Sequence, residues 1–541
     1  MNNILKVTIL APLCALISLA YAGFDPAMRP DPQTDRFIQR IEARYGLLPT
    51  GYHRQPMSTE SFLIYLDSVS QKPLSASERY ELSNISKRLS IDNGIYGYYH
   101  EQNETGLIVN LDLTGESWGR AGKGDKRGGG RGIISPILRG HIGNVSFYSG
   151  LDVWTEYVYD SLFAQSSWQP YNGNPYTLYG RGTDSANVRA ADLPRAGINY
   201  TSGKITLEAG LDYLRIGPAV HYPVTLSGEA PPITYFRTVF DLSHFEYSHF
   251  AGFLRSQRDK SKYIYSNRLS GNLFGGALRW GISEVMIDGE PTSQQNDDPY
   301  NKRRPGMEDE KHGWEWVFCI PFVPMVFVEH YVGDNSNAAL SFDASLNWQS
   351  FRFYGEFFID DMLSPWKIFS DDWGNKWAVT AGTQYFSTLY NRDISAGIEY
   401  SRVEPWVYTH FYGGSHRYDH FDICLGSPMG PNSRAVVVNG DMSVTEKSTL
   451  GLSLKSLAKN PEARGGKITD IFQWHAIPET AENPDSETKK FLGPGTIHHL
   501  RPGIYGYYDP FGQFRLNASI EVDVDSDRGN VHLRLEGGFR F

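Results

Sequence analysis

The last eleven residues of the chain, 531–541, alternate strictly between two kinds of side chain and end on an aromatic ring. The apolar or small set is Val531, Leu533, Leu535, Gly537, Phe539 and Phe541. The polar set is His532, Arg534, Glu536, Gly538 and Arg540. Because successive side chains of a β-strand point to opposite faces, this segment predicts a strand with one apolar and one charged face.

The position of this strand at the end of the chain favours a membrane setting. A chain that ends on an amphipathic strand with a terminal Phe resembles the closing strand of an outer-membrane β-barrel, in which charged side chains face an aqueous lumen. Residues 514–525 alternate in the same way, so acids and arginines of adjacent strands predict a charged luminal ladder. The compact polar turn 526–530 between these strands is predicted on the periplasmic side. A soluble sandwich is the alternative, but ~450 residues of it would need several domains.

The N-terminal residues 1–22 are predicted to be a signal peptide. Lys6 supplies the basic start, residues 7–20 are apolar, and Ala20-Tyr21-Ala22 is a small-x-small cleavage pattern. We expect cleavage after Ala22 rather than an N-terminal membrane helix. The sequence therefore predicts an exported protein.

Composition agrees with a barrel. No segment after residue 22 approaches the ~18 apolar residues that a membrane helix needs. The most apolar segment, 316–328, is interrupted by Pro321 and Pro324. Aromatic residues make up 14% of the chain, which suits interfacial girdles or sugar-stacking surfaces. The formal net charge of −10 disfavours nucleic acid as a partner.

Two regions are predicted after the signal peptide. Residues 23–90 show the apolar period of short helices, with a capping box at Ser75 and Glu78, and predict a small periplasmic helical segment. From about residue 92 the period changes to two, so residues 91–541 predict the barrel. The long polar stretches 288–313 and 459–495 are predicted on the extracellular side.

Motifs of catalytic or metal sites are weak in this sequence. The glycine-rich segment 122–132 lacks the ending of a phosphate loop, and His498-His499 lacks the spacing of a helical zinc site. Cys319 and Cys424 are too few to form a disulfide framework, and the sequence leaves open whether they pair with each other. We expect no enzyme, metal or cofactor, although a Ser-His-Asp set assembled in space stays open.

The densest group of polar and aromatic residues lies between residues 397 and 432. Aromatic rings stack on sugar faces, and acids or amides bind sugar hydroxyls, so this group predicts a carbohydrate site. Two strands and a loop with interfacial aromatics would be the structural alternative. The candidate contacts are Glu399, Tyr400, Trp406, Tyr408, His410, Tyr418, His420 and Asn432.

At these residues the sequence resembles the Wzi-type capsule assembly family of Gram-negative outer membranes. The motifs, in order, are Ile216-Gly-Pro218, Leu226-Ser227, Ala230-Pro-Pro232, Gly281-Ile-Ser-Glu284, Glu399-Tyr400, Tyr408-Thr-His410, Tyr418-x-His420, Leu425-Gly and Gly430-Pro-Asn432. The resemblance implies an all-β fold. It would be an antiparallel outer-membrane barrel of about 18 strands with a small N-terminal periplasmic helical bundle.

The resemblance also implies a function. Such a protein would be a non-catalytic lectin of the cell outer membrane that attaches or organises capsular or surface polysaccharide. Outer-membrane lipid and the capsule export machinery would be its further partners, while the identity of the polysaccharide is left open. A porin or sugar channel, and a lipid or glycan hydrolase, are two other functions that share such a barrel.

Overall fold

A computed structural model of the protein describes residues 30–90, 92, 94–122, 125–158, 188–255, 261–290, 314–332, 336–410, 413–470, 488–510, 514–525 and 529–540. The predicted signal peptide 1–22 lies outside these residues and stays a prediction. So does the luminal orientation of His532, Arg534, Glu536 and Arg540, because only the backbone of the last strand is described. None of the described helices combines the length and the apolar composition that crossing a bilayer as a helix requires.

Three helices precede the barrel: α1 (Pro32–Tyr45), α2 (Thr59–Ser70) and α3 (Ala76–Leu89). Ser75 and Glu78 form the predicted capping box at the start of α3. The three helices bury one apolar core, whose members include Phe37, Ile38, Ile41, Phe62, Leu66, Val69 and Ile85. The predicted helical bundle is therefore present, while the exact division at residue 90 stays a prediction.

The described part of the chain also contains twenty-four strands, of which β1 lies between α1 and α2, and one further short α-helix, α4 (Met325–Val328). The first twelve strands are β1 (Arg54–Gln55), β2 (Tyr96–His100), β3 (Thr105–Gly122), β4 (Asp125–Ile142), β5 (Val145–Val158), β6 (Val188–Ser202), β7 (Ile205–Asp212), β8 (Arg215–Ile216), β9 (Leu226–Ser227), β10 (Ile233–Asp241), β11 (Phe245–Arg255) and β12 (Ser261–Leu273). The others are β13 (Leu278–Gly289), β14 (Asn337–Trp348), β15 (Phe351–Asp361), β16 (Lys376–Leu389), β17 (Arg392–Val403), β18 (Asp419–His420), β19 (Ile423–Cys424), β20 (Ser433–Thr445), β21 (Ser448–Lys459), β22 (Ile497–Tyr508), β23 (Phe514–Asp525) and β24 (Gly529–Arg540).

Eighteen of the described strands, β3–β7, β10–β17 and β20–β24, pair antiparallel and close into a barrel. The ring closes between the first and last of them, where Phe539 of β24 is in register with Leu113 of β3. β2 continues the line of β24 along β3, since Tyr96 is in register with Val109. The predicted antiparallel barrel of about 18 strands is confirmed.

The two faces of the wall differ as the alternation predicts. On β21 the outward residues Leu450, Leu452 and Leu454 are exposed apolar side chains, as a lipid-facing wall requires. On β14 and β15 the inward residues Asp343 and Glu356 are buried and charged. At these positions the apolar side chains face outward and the charged side chains face the lumen.

The two ends of the barrel differ in their connections. At one end, tight turns join neighbouring strands, for example at Gln349 and Ser350, whose φ angles of +48° and +72° suit a two-residue hairpin. The helical bundle lies at this short-turn end, where the Ser75 hydroxyl bonds Asp393. Barrels of outer membranes place their short turns in the periplasm. We call the opposite end the long-loop end.

The prediction for the turn 526–530 is wrong. Asp525, the last residue of β23, is in register with His499, which follows the long stretch 459–495. The connection from β23 to β24 therefore begins at the long-loop end rather than in the periplasm. The compactness of a turn does not decide on which side of the membrane it lies. β24 runs from the long-loop end to the short-turn end, so the turn before it lies at the long-loop end.

Candidate functional site

The connection between β7 and β10, residues 213–232, turns into the barrel lumen and carries β8 and β9. We call it the luminal loop. β8 pairs with both β9 and β1, so the segment after α1 and the luminal loop share a small three-stranded sheet inside the barrel. Apolar side chains of the loop pack against inward side chains of the wall; together they include Leu214, Val224, Leu226, Phe250, Ile264, Val285 and Phe358.

Two glutamates of the inner wall hold the backbone of the luminal loop. Glu356 on β15 accepts hydrogen bonds from the N–H groups of Ala219 at 2.9 Å and Val224 at 2.8 Å. Glu399 on β17 accepts from the three N–H groups of residues 220–222 at 2.8–3.1 Å. Five backbone amides of the loop therefore bond to two carboxyl groups of the wall, and these bonds fix the loop in place.

A glycine lets the loop approach the wall this closely. Gly217 has a φ of +108°, and a Cβ placed there would lie 2.1 Å from Oε1 of Glu356. Arg352 on β15 donates to the carbonyl of Pro218 at 2.8 Å, and Thr380 on β16 donates to the carbonyl of Tyr222 at 2.6 Å. The wall thus binds both the N–H and the C=O groups of the loop.

The connection between β17 and β20, residues 404–432, packs on the luminal loop from the long-loop end. The hydroxyl of Tyr408 donates to the carbonyl of Val224 at 2.7 Å, and that of Tyr418 donates to the carbonyl of Thr225 at 2.9 Å. The two rings stack with centroids 5.5 Å apart, and both are fully buried. These tyrosines therefore join two inserted segments to each other.

His420 and Asn432 also bond to other parts of the chain. Nδ1 of His420 accepts a hydrogen bond from the N–H of Arg255 at 2.9 Å. Burial, with the charge of Lys262, lowers the pKa of His420 to about 3, which keeps the ring neutral and able to accept. Oδ1 of Asn432 accepts from the N–H of Leu492 at 2.7 Å.

The other predicted candidates fall in different surroundings. The indole of Trp406 is buried against Gly465, where a Cβ would lie 2.6 Å from the ring. His410 stacks on His416 with centroids 5.4 Å apart. Tyr400 points outward and is 37% exposed on the apolar face of the barrel.

The structure therefore brings six of the eight candidates into one buried layer beneath the long-loop end: Glu399, Trp406, Tyr408, Tyr418, His420 and Asn432. Each of them has contacts within the protein that account for its position. Contact with a carbohydrate stays a prediction for all eight.

One candidate lines a cavity. His420 and Phe421 border a cavity of about 160 Å³ at the long-loop end, together with Phe253, Arg255 and Pro232. Two aromatic rings beside a guanidinium are groups that a sugar could contact.

The opposite side of the lumen carries the predicted ladder of charges. Lys455 pairs with Glu521 at 2.8 Å, while Arg501 and His499 both contact Asp523 at 2.9 Å. These five residues on β21, β22 and β23 are called the charged wall. The inward acids Glu521 and Asp523 of β23 agree with the alternation of the sequence, while the part of the predicted ladder on β24 stays a prediction.

The charged wall differs from the filled side of the lumen in its contact with water. Lys455 and His499 keep 35% and 28% of their side-chain surface exposed. In contrast, the side chains of Lys262 and Arg352 have no exposed surface; both lie on strands that hold the inserted segments.

Tyr222 of the luminal loop lies between the two sides. Burial raises the pKa of Tyr222 to about 12; Arg501 opposes this rise, and Glu399 and Glu521 add to it.

The barrel is similar in structure to Wzi, described as an outer membrane protein involved in group 1 capsule assembly in Escherichia coli and as a carbohydrate-binding β-barrel. The alignment covers 96% of this chain and 99% of Wzi, with 14% identity and a TM-score of 0.59. At this identity the similarity establishes the fold, and the resemblance predicted from the motifs is confirmed at that level. The protein has the fold of an outer-membrane β-barrel.

Two further similar structures are OccK2 (OpdF) of Pseudomonas aeruginosa and a BenF-like porin of Pseudomonas fluorescens Pf-5. Each shares 9% identity and covers 80% of this chain, with 97% and 98% of their own chains covered and TM-scores of 0.42 and 0.41. The sequence matches no protein-family model and no curated protein.

Sequence reasoning missed Glu356 and the luminal loop that it holds. In the sequence Glu356 is one of several acids at inward strand positions, and its amide partners are 132 and 137 residues away. The signal that could have found them is the pair of motifs 216–218 and 230–232, whose glycine and prolines suit a constrained loop. Among the described residues, no three His, Cys, Asp or Glu side chains are grouped to hold a metal ion, and Cys319 and Cys424 are unpaired.

Proposed function

We propose that the protein is a lectin-like outer-membrane barrel that holds capsular or other surface polysaccharide at the cell surface without cleaving it. The observation that carries this proposal is the asymmetry of the lumen. One side is filled by chain that Glu356 and Glu399 bind through five backbone amides. The other side keeps a partly exposed charged wall. A lumen crossed by bonded chain suits holding a polymer better than passing a solute.

The charged wall favours an acidic polysaccharide. Its most exposed member is a cation, since Lys455 keeps 35% of its side-chain surface exposed, whereas the acids Glu521 and Asp523 keep 11% and 8%. A ligand that reaches this wall meets positive charge first. Charge-assisted hydrogen bonds from Lys455 to sugar carboxylates would supply binding energy despite the net negative charge of the whole chain.

In this proposal the buried candidate residues act by holding inserted segments of the chain in place. Tyr408, Tyr418 and Glu399 hold the inserted segments that shape the long-loop end, and the cavity beside His420 adds aromatic surface there. Wzi, which has the same fold, is described as binding carbohydrate, and this supports the proposal without identifying the ligand.

The decisive experiment is polysaccharide retention on whole cells. Deleting the gene should move surface polysaccharide from the cell fraction into the medium, and unchanged retention would contradict the proposal. Complementation with a Lys455→Gln, His499→Gln variant should restore retention only in part. A matched Lys72→Gln, Arg392→Gln variant, changed at exposed cations of the short-turn end, should restore it fully.

Two measurements on purified protein separate the alternative functions. Planar bilayers should show conductance near background, whereas a porin or sugar channel would conduct well above it. Incubation with lipid or glycan substrates should release no product, whereas a hydrolase would turn them over.

A further inference from the structure

The segment 314–332 lies outside the barrel wall rather than above it. Tyr247 on β11 is in register with Leu269 on β12, whose side chain is exposed on the outer face. Tyr247 therefore points outward too. The ring of Phe322 stacks on that of Tyr247 with centroids 4.1 Å apart, so the segment covers the outside of the wall at this point.

The segment also spans much of the height of the wall. Trp314 stacks on Phe253 of β11 with centroids 5.0 Å apart. Phe253 and Tyr247 are six residues apart on one strand, which corresponds to roughly 20 Å along it and to about 15 Å of height at the tilt of such strands. The apolar band of such a barrel is about 25 Å tall. The segment thus descends from the long-loop end to a level close to the short-turn end.

The wall beneath the segment is polar where a lipid-facing wall is normally apolar. Its outward residues include Tyr247, His249, Tyr265, Asn267 and Glu284, and the register pairs His249 with Asn267 and Asn267 with Glu284. Left in contact with hydrocarbon, such groups would each cost free energy.

These polar side chains bind the backbone of the segment. The hydroxyls of Tyr265 and Tyr247 accept from the N–H groups of Glu315 at 3.0 Å and Phe322 at 2.5 Å. Nδ2 of Asn267 donates to the carbonyl of Val323 at 2.6 Å.

One more backbone amide is bound at the start of α4. Oε2 of Glu284 accepts from the N–H of Met325 at 3.2 Å. Irregular backbone is tolerated at membrane depth only where protein satisfies its polar groups, and this wall supplies such partners.

The surface that the segment turns away from the wall is apolar and exposed. Its members are Trp316, Ile320, Phe327 and Tyr331, each more than half exposed. This surface continues the exposed apolar face of the neighbouring wall, represented by Ile282 and Phe342. Acyl chains of the membrane can cover both the segment and the neighbouring wall.

We propose that residues 314–332 form a membrane-embedded strap that lies between the barrel wall and the acyl chains of the outer membrane. The strap covers a polar patch of the wall and presents an aromatic surface to the lipid in its place. It also explains why the most apolar segment of the chain contains Pro321 and Pro324: it is not a spanning helix but a folded layer held by side chains of the wall.

Spin labelling in lipid vesicles tests the strap directly. In a Cys319→Ser, Cys424→Ser background, a nitroxide is attached to Phe327→Cys, a position that is 70% exposed and so tolerates the label. Leu452→Cys, on the outward face of β21, is the control for lipid contact. Lys72→Cys, at an exposed position just after α2, is the control for water.

The measurement compares collisions of each label with oxygen, which concentrates in lipid, and with a water-soluble nickel chelate. We expect Phe327→Cys to behave as Leu452→Cys, with high oxygen contact and loss of chelate contact. High chelate contact would overturn the proposal by placing the strap in water. Low contact with both reagents would also overturn it, because a protein surface, such as a second copy of this chain, would then cover the strap.

Discussion

Nε of Arg352 donates a hydrogen bond at 2.6 Å to the carboxylate of Glu42, and neither side chain has any exposed surface. The pair joins helix α1 to the inner wall of the barrel. The same guanidinium donates to the carbonyl of Pro218, so one arginine connects the helical bundle, the wall and the luminal loop. Arg279 contacts the other oxygen of Glu42 at 3.1 Å.

Removing the charge of Glu42 should destabilise the protein strongly. Glu42→Gln leaves Arg352 and Arg279 buried without their anion, and breaking a buried pair in this way costs about 3–5 kcal/mol. The measurement is the free energy of unfolding by urea in detergent. Asp67→Asn, at an exposed position of α2, is the matched control and should change it little. Equal stability of the two variants would contradict the role of the pair.

The same pair predicts a loss of stability in acid. Burial would raise the pKa of Glu42, but Arg352 and then Arg279 outweigh it and lower this pKa to about 2 from 4.5. Because the folded pKa is the lower one, the stabilisation is complete above pH 4.5 and disappears as the pH falls toward 2. The difference in unfolding free energy between wild type and Glu42→Gln should shrink across that window. A constant difference would argue against this assignment.

Releasing the luminal loop should open the barrel. A Glu356→Ala, Glu399→Ala variant loses both carboxyl groups that hold the loop, and each hydrogen bond contributes about 0.5–1.5 kcal/mol. We expect frequent conductance steps in planar bilayers, against a near-silent wild type. Glu521→Ala, on the charged wall, leaves the loop anchored and should remain silent. A silent double variant that still migrates as a folded barrel would show that other contacts keep the lumen closed.

The strap should depend on the polar residues of the wall. Glu284→Leu removes the acceptor for the N–H of Met325 and also a partner of Asn267. We expect a spin label at Phe327→Cys to become more mobile in this variant. Ser283→Ala, at the adjacent inward position of β13, is the control and should leave the label unchanged. Unchanged mobility in Glu284→Leu would mean that apolar contacts alone hold the strap.

The sequence predicts those parts of this fold that depend on local order. Alternation with a period of two requires only neighbouring residues, which is why the strands 514–525 and 531–541 and the inward acids Glu521 and Asp523 could be predicted. The side of the turn 526–530 does not follow from local order, because it depends on the direction of every strand before it.

The contents of the lumen and the outer layer could not be predicted in the same way. Glu399 and Tyr408 were singled out for their chemistry, yet their partners lie in the luminal loop more than 170 residues away. The strap left a clearer trace, since His249, Asn267 and Glu284 interrupt an outward face that should be apolar. Such interruptions become informative only when a second segment is known to cover them.

The rim hairpin formed by β18 and β19 should make stability depend on pH through His420. Burial first, and then Lys262, lowers the pKa of this ring to about 3 from 6.5, so the folded protein keeps it neutral. The unfolded chain takes up the proton below pH 6.5, so stability is complete above that value and falls as the pH drops toward 3. His420→Asn keeps an acceptor for the N–H of Arg255 but cannot titrate. Wild type should therefore lose on the order of 2 kcal/mol relative to this variant between pH 7 and pH 5, since each pH unit below 6.5 contributes about 1.4 kcal/mol. Urea unfolding at the two pH values measures the difference, in which the titration of every other histidine cancels. Parallel losses in both proteins would assign the pH dependence to another group.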